Sequence, residues 1–225
     1  MKVTWLGQAG LMFETDGKTI IVDPYLSNSV EKIEPHNKRR VAVDEKFLKV
    51  KPDVLVLTHN HIDHTDPETL VHYIGEDTSV VVLGPTNAYQ TARGFKGIKN
   101  NYVLFNAGTR WTEGNVTFKA VSAEHSDPTA IGFVLEAEGK KYYVTGDTLY
   151  NDRILAEIPS DIDYVFIPVN GRGNNMNFAD AKEFCAKIGA TVIPMHCGLF
   201  DSLDMNDFDY ADKIVPKFYE EIPLK

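Results

Sequence analysis

Short runs of apolar residues dominate the first two thirds of the chain, and residues that favour turns separate them. Apolar runs bounded by Gly, Asn, Asp or Pro predict β-strands. The predicted strands are KVTWL, LMFET, TIIVD, DVLVLT, SVVVLG, NYVLF, VTFKAV, IGFVLEA and KYYVTGD. Helical spacing of apolar residues predicts helices at Pro67–Ile74, Thr86–Arg93, Asn151–Ile158, Phe178–Ile188 and Asn206–Glu220. Because no Pro-, Gly- or Ser-rich linker interrupts this order, the pattern predicts one α/β domain over residues 1–225.

Three segments of the first half have counterparts, in the same order, in the second half. DGKTIIVD (16–23) is echoed by EGKKYYVTGD (138–147), DVLVLTHNHIDHTDPETL (53–70) by DYVFIPVNGRGNNMNFADA (163–181), and SVVVLGP (79–85) by ATVIPMH (190–196). The order indicates an ancient duplication into two similar halves. Two such sheets, packed face to face between helices, predict a four-layer αββα sandwich.

Composition and charge narrow the possible functions. The chain is 43% hydrophobic, which is enough for a core, and it contains no run of about 20 apolar residues that could span a membrane. A net charge of −9 disfavours nucleic acid as a partner. The N-terminal sequence has no signal-peptide profile, and two cysteines, Cys185 and Cys197, make a disulfide framework improbable. We therefore expect a cytoplasmic protein.

The sequence THNHIDH (58–64) places three histidines and an aspartate within six positions, directly after an apolar run. His59 and His61 are two apart and project to the same side of an extended segment, and Asp63 and His64 follow through a turn. Imidazoles and a carboxylate at this density predict a metal site.

Further candidate ligands end other apolar runs, namely His125 in VSAEHSD, Asp147 in YVTGDT and His196 in VIPMHCG. We predict that His59, His61 and His125 hold one ion and that Asp63, His64 and His196 hold another. Asp147 is the predicted bridging carboxylate. These ligand types suit zinc, manganese or iron and do not distinguish among them. His36 and His72 fall outside the pattern.

The ordered set THNHIDH, His125, GDT and PMH resembles the motif set of the metallo-β-lactamase superfamily along the whole chain. The flanking segments WLGQAG, IVDPYLS, HNKRRVA, PVNGRGNNMNFADA and VIPMHCGLF look like the L-ascorbate-6-phosphate lactonase group. The resemblance implies the αββα fold, a manganese preference with zinc as the alternative, and lactone hydrolysis. It is compatible with a homo-oligomer.

Hydrolysis at such a site needs no serine or cysteine nucleophile, since a hydroxide held by the metals can attack. The predicted catalytic carboxylates are Asp147, shared by the ions, and Asp63, which is placed to shuttle a proton. Arg172 is predicted to clamp an anionic group of a small substrate, with Gln8 and Asn170 as further substrate contacts. The basic run Lys38, Arg39 and Arg40 could receive an anion, meet a neighbouring subunit or simply be solvated. Cys197 is expected to be buried and inert.

Other functions use the same dimetal centre. A phosphodiesterase or nuclease is one alternative, but relatives that process RNA usually carry an added domain for which 225 residues leave little room. A thioesterase is another, and the single predicted C-terminal helix is too little for that group's additional domain. β-Lactam hydrolysis is disfavoured by the lack of an export signal. A non-catalytic metal-dependent sensor would be favoured if a ligand were missing, and none is.

Overall fold

Two six-stranded sheets form the centre of the computed structural model, which describes residues 1–225. The strands of the first sheet are β1 (Lys2–Gly7), β2 (Gly10–Thr15), β3 (Lys18–Val22), β4 (Val54–Val56), β5 (Val81–Gly84) and β6 (Asn101–Leu104). Those of the second are β7 (Arg110–Glu113), β8 (Val116–Ser122), β9 (Ile131–Ala137), β10 (Lys140–Val144), β11 (Tyr164–Pro168) and β12 (Thr191–Met195). Both sheets follow the order of the sequence, from β1 to β6 and from β12 to β7.

Alternation along the strands divides the interior into layers. In β4, Val54 and Val56 enter the large core between the sheets, whereas Leu55 enters a second core on the outer face of the first sheet. The outer core includes Leu70 and Ala88, which come from helices. The predicted α/β sandwich is therefore confirmed.

The helices are α1 (Ser29–Ile33), α2 (Pro67–Leu70), α3 (Thr86–Arg93), α4 (Asp152–Leu155) and α5 (Phe178–Ile188). The predicted bounds of α3 and α5 are correct, but α2 and α4 are shorter than predicted. The sequence pattern missed α1 and the strand β7. None of these helices is both long enough and apolar enough to cross a membrane.

The two halves share matching turns and hydrogen bonds, as the predicted duplication implies. The β2–β3 turn has positive φ at Asp16 (47°) and Gly17 (72°), and the β9–β10 turn has it at Glu138 (52°) and Gly139 (73°). Two consecutive residues with positive φ are the type I′ hairpin turn. In each half, the aspartate just before the next strand accepts a backbone N–H at 2.8 Å, Asp53 from Thr19 and Asp163 from Lys141.

The prediction of a helix at Asn206–Glu220 is wrong. This part of the chain contains only a 3₁₀ turn at Met205–Asp207 and is otherwise irregular or extended. Pro216 interrupts the helical pattern because proline cannot donate the required backbone hydrogen bond. The segment pairs instead with two sheet edges: Ile214 donates its N–H to Val192 O of β12, and Tyr219 donates its N–H to Trp5 O of β1.

Candidate metal centre

The candidate ligands are brought together because they follow the carboxyl ends of neighbouring strands. The histidine loop follows β4, His196 follows β12, and Asp147 lies three residues after β10. Strands β3, β4 and β5 are mutually parallel, and so are β10, β11 and β12, so their ends meet at one rim of the sandwich. His125, three residues beyond β8, reaches the same rim.

The first cluster consists of His59, His61 and His125. One ligand atom from each lies within 4.8 Å of the others. Their ring centroids are 4.7 Å apart for His59 and His61, 4.4 Å for His59 and His125, and 4.6 Å for His61 and His125. Three imidazoles at this spacing can share one divalent ion.

The second cluster consists of Asp63, His64 and His196, again within 4.8 Å. Asp147 approaches it with both oxygens: Oδ1 lies 3.4 Å from His64 Nε2, and Oδ2 lies 3.4 Å from His196 Nε2. The two clusters adjoin, with 4.0 Å between the ring centroids of His59 and His64. The structure thus assembles all seven candidate ligands at one place.

Unpartnered buried atoms indicate what this place binds. His59 Nε2, His125 Nε2 and Asp147 Oδ1 are buried without a hydrogen-bond partner. A buried polar atom without a partner is costly, so its presence calls for a bound group. Imidazole nitrogens and carboxylate oxygens are donors for a divalent cation, and the residues present therefore fit a metal.

Comparisons with known proteins agree with this geometry. A family model described as a beta-lactamase superfamily domain matches residues 2–196. A UPF0173 metal-dependent hydrolase from Ligilactobacillus salivarius is 34% identical to this chain, over 92% of this chain and 91% of that protein. The chain belongs to the metallo-β-lactamase superfamily.

Solved structures of the superfamily fold superimpose over nearly the whole chain. Igni18, a metallo hydrolase from Ignicoccus hospitalis, gives a TM-score of 0.75 at 21% identity, covering 98% of this chain and 96% of its own. A possible metal-dependent hydrolase from Veillonella parvula gives 0.80 at 16% identity, covering 100% and 99%. At these identities the likeness concerns the fold alone.

Electrostatics differ between the two clusters. Burial lowers the pKa of His59 well below its ordinary value, and burial also lowers the pKa of His125. Burial acts in the same direction on His64 and His196, but Asp147 and Asp63 outweigh it and raise the pKa of both rings. Burial therefore favours neutral imidazoles at His59 and His125, whereas the carboxylates of the second cluster favour positive charge there.

The predicted substrate contacts fall into two groups. Gln8 is buried, and its Nε2 donates to Asp63 Oδ2 at 3.0 Å; Asn170 Nδ2 lies 3.0 Å from His196 Nδ1. These two amides therefore contact candidate ligands directly. Arg172 is exposed at the rim of the cavity over the clusters.

Two orienting residues were missed by sequence reasoning. Asp23 Oδ2 lies 2.9 Å from His64 Nδ1, and Asp23 Oδ1 accepts the Thr58 N–H at 2.8 Å. Asn175, also buried, donates from Nδ2 to Asp147 Oδ2 at 2.9 Å. A partner on the far side of a ligand fixes the ligand's orientation. The only sequence signal was position, since Asp23 directly follows β3 and Asn175 lies in the loop equivalent to the histidine loop.

The backbone is strained at the same rim. Gln8 (φ 50°), Asp23 (φ 39°) and His196 (φ 67°) have positive φ although none of them is glycine. Backbone strain of this kind persists only where the surrounding structure fixes the conformation, and strained residues cluster at active sites. All three side chains contact the second cluster or belong to it.

The cavity over the clusters has a volume of about 430 Å³. Its lining includes the candidate ligands His61, Asp63, Asp147 and His196. Arg172 is the only Lys or Arg side chain among the lining residues. Cys197, beside His196, is fully buried and does not line the cavity, and burial raises the pKa of its thiol to about 12.

Proposed function

We propose that this metal-dependent hydrolase opens a small anionic, sugar-derived lactone, and that a phosphorylated lactone is its preferred substrate. The observation that carries the proposal is Arg172, the single guanidinium at a cavity that reaches both ligand clusters. A planar guanidinium binds phosphate or carboxylate through two parallel hydrogen bonds. The cavity volume of about 430 Å³ suits a compact ligand.

The residues that would hold two ions are His59, His61 and His125 for one, and Asp63, His64 and His196 for the other, with Asp147 shared. When bound, such ions polarise a carbonyl oxygen and lower the pKa of a water molecule to about 7. Manganese is the metal we propose, with zinc as the alternative, because the motif set resembles the lactonase group.

Asp63 is the proposed proton carrier. Its Oδ2 accepts a hydrogen bond from Gln8 Nε2 at 3.0 Å, which fixes the plane of the carboxylate. The side chain is only partly buried and lines the cavity, so a substrate can reach it. A carboxylate held at the reacting group can take a proton from the attacking water and pass it to the departing ring oxygen.

The remaining lining residues complement a sugar-derived ring. Val30, Ile62 and Phe200 provide an apolar surface, and Glu34, Asn37 and Asp201 provide hydrogen-bond acceptors for hydroxyl groups. Because two of these acceptors are carboxylates, a substrate with many negative charges would be repelled. This arrangement supports one anionic group, placed at Arg172, and a hydroxylated remainder.

Purified protein tests the proposal. It is prepared without chelator, its metal content is measured, and it is assayed with manganese and with zinc against a sugar-phosphate lactone, bis-p-nitrophenyl phosphate and a thioester. We expect the lactone to be cleaved with the highest kcat/KM. Cleavage of the diester or the thioester far faster than any lactone would replace the lactonase assignment with that activity.

A further inference from the structure

The cavity has an outer wall made from residues 24–41, which we call the wall segment. Its residues Val30, Glu34 and Asn37 line the cavity. The only regular structure within it is α1, five residues long, and Asn28 at its start makes no side-chain capping hydrogen bond. A helix this short has little stability of its own. The wall must therefore be held in place by contacts elsewhere.

Arg39, near the end of the wall segment, supplies several of these contacts. Its Nε donates to Ser27 O at 3.0 Å, one terminal nitrogen donates to Val41 O at 3.3 Å, and the other donates to Tyr25 O. It also donates to the Tyr219 hydroxyl at 3.2 Å, and its guanidinium lies 4.8 Å from the centre of the Tyr25 ring. One side chain thus ties both ends of the segment to each other and to the C-terminal part of the chain.

Tyr25 connects Arg39 to two residues that line the cavity. Its hydroxyl oxygen accepts the N–H of Val30 at 3.2 Å, and its ring meets Phe200 edge-on with centroids 5.6 Å apart. Val30 and Phe200 both face the cavity. A shift of Tyr25 would therefore move two opposite contributions to the lining, one from the wall segment and one from the chain just beyond His196.

We infer that Arg39 is a positioning residue that fixes the shape of the cavity, and thereby its substrate specificity, without touching the substrate. Hydrogen bonds from a charged group are stronger than neutral ones, and the guanidinium fork fits several carbonyls at once. Its neighbour Arg40 is exposed, its guanidinium makes none of these contacts, and only its backbone N–H is used, in a 2.9 Å bond to Leu199 O. The part of the inference that concerns substrates rests on the proposed function.

Hydrogen exchange of the metal-loaded protein tests the anchorage. The variants are Arg39→Ala, Arg39→Lys and, as the matched control, Arg40→Ala. In Arg39→Ala we expect amide exchange within residues 28–37 to accelerate about tenfold or more, with the central strands unchanged. Arg40→Ala should exchange like the unchanged protein. Equal exchange in Arg39→Ala and Arg40→Ala would overturn the inference.

Arg39→Lys keeps the test decisive if Arg39→Ala fails to fold. Lysine retains the positive charge but lacks the fork, so residues 28–37 should exchange at an intermediate rate. Exchange identical to that of the unchanged protein would contradict a role for the carbonyl contacts.

Kinetics supply the second measurement, with the sugar-phosphate lactone and bis-p-nitrophenyl phosphate as probes. Arg39→Ala should raise KM about tenfold for whichever probe is cleaved, while kcat stays within about twofold. A fall in kcat with unchanged KM would count against a positioning role. If neither probe is cleaved, the proposed function fails, while the exchange measurement still decides the role of Arg39.

Discussion

The loop after β4 and the loop after β11 occupy equivalent places in the two halves, yet they carry different chemistry. The first supplies His59, His61, Asp63 and His64 to the two clusters. The second supplies no candidate ligand, but its Asn170 lies 3.0 Å from His196 Nδ1 and its Asn175 donates to Asp147 at 2.9 Å. One loop carries candidate metal ligands, and the other contacts candidate ligands that come from elsewhere.

The difference shows how two similar halves of one fold can contribute different residues to the same site. Both loops begin where parallel strands end, so both deliver side chains to the same rim. Amides suit the orienting role because they both donate and accept: Asn170 Nδ2 faces His196 Nδ1 at 3.0 Å as a donor, while Asn170 Oδ1 accepts the Arg172 N–H at 3.3 Å. Variants in the two loops should therefore differ in kind as well as in size.

The largest effect is expected from His59→Ala. Removal of a ligand from the first cluster should lower metal content by about one ion per chain and kcat/KM by roughly three orders of magnitude. Elemental analysis and the lactone assay measure the two effects. His72→Ala, at an exposed histidine outside the clusters, is the control and should change neither. Full metal content in His59→Ala would remove His59 from the ligand set.

Asn175→Ala should have a smaller effect, because it frees Asp147 Oδ2 without removing a ligand. Metal affinity, measured by competition with a chelating dye, should fall about 10- to 100-fold. Asn174→Gly is the control from the same loop, since Asn174 is exposed and its φ of 68° suits glycine. Equal loss of affinity in both variants would indicate damage to the loop instead of loss of one contact.

Arg172→Ala should affect binding of the substrate and leave the metal sites intact. We expect kcat/KM to fall about tenfold or more for anionic substrates, with less loss on neutral esters and unchanged metal content. Arg110→Ala, at another exposed arginine, controls for the lost surface charge. If neutral and anionic substrates suffer equally, Arg172 has no recognition role.

The smallest effect is expected from Cys197→Ala. The side chain follows a candidate ligand but is fully buried away from the cavity, and burial raises the pKa of its thiol to about 12. Activity should stay within about twofold, and a thiol reagent should label Cys197 only after unfolding. Rapid labelling of the folded protein would contradict this burial.

Features that depend on residue types close together in the sequence could be predicted from it. A dense group of ligand-type side chains after an apolar run predicted the histidine loop, and the repeated order of segments predicted the paired sheets. Asp23 was overlooked because an aspartate before a proline is ordinary turn chemistry, and only the fold brings it to His64. Asn175 was overlooked for a similar reason, since its target lies in a separate loop.

Long-range contacts also explain the other discrepancies. The basic run at 38–40 gave no sign that Arg39 donates to three backbone carbonyls, because those acceptors take their positions only in the folded chain. The segment after Asp204 has apolar residues at spacings compatible with a helix. In the fold, its backbone pairs instead with the edge strands β1 and β12. Pairing with strands so distant in the sequence cannot be predicted from the local pattern of apolar residues.

The pairing of the final stretch with β1 and β12 also supports two residues of the rim, Gln8 and His196. Gln8 comes immediately after β1, and His196 comes immediately after β12. The final stretch of the chain pairs with both strands and so connects the two sheets. Gln8 O also accepts the His196 N–H, so β1 and β12 are joined directly at the rim. The final stretch of the chain joins the same two strands again along their edges. Trimming the final stretch would expose two bare strand edges to other molecules and loosen the hold on His196, so loss of solubility and loss of catalysis should arrive together.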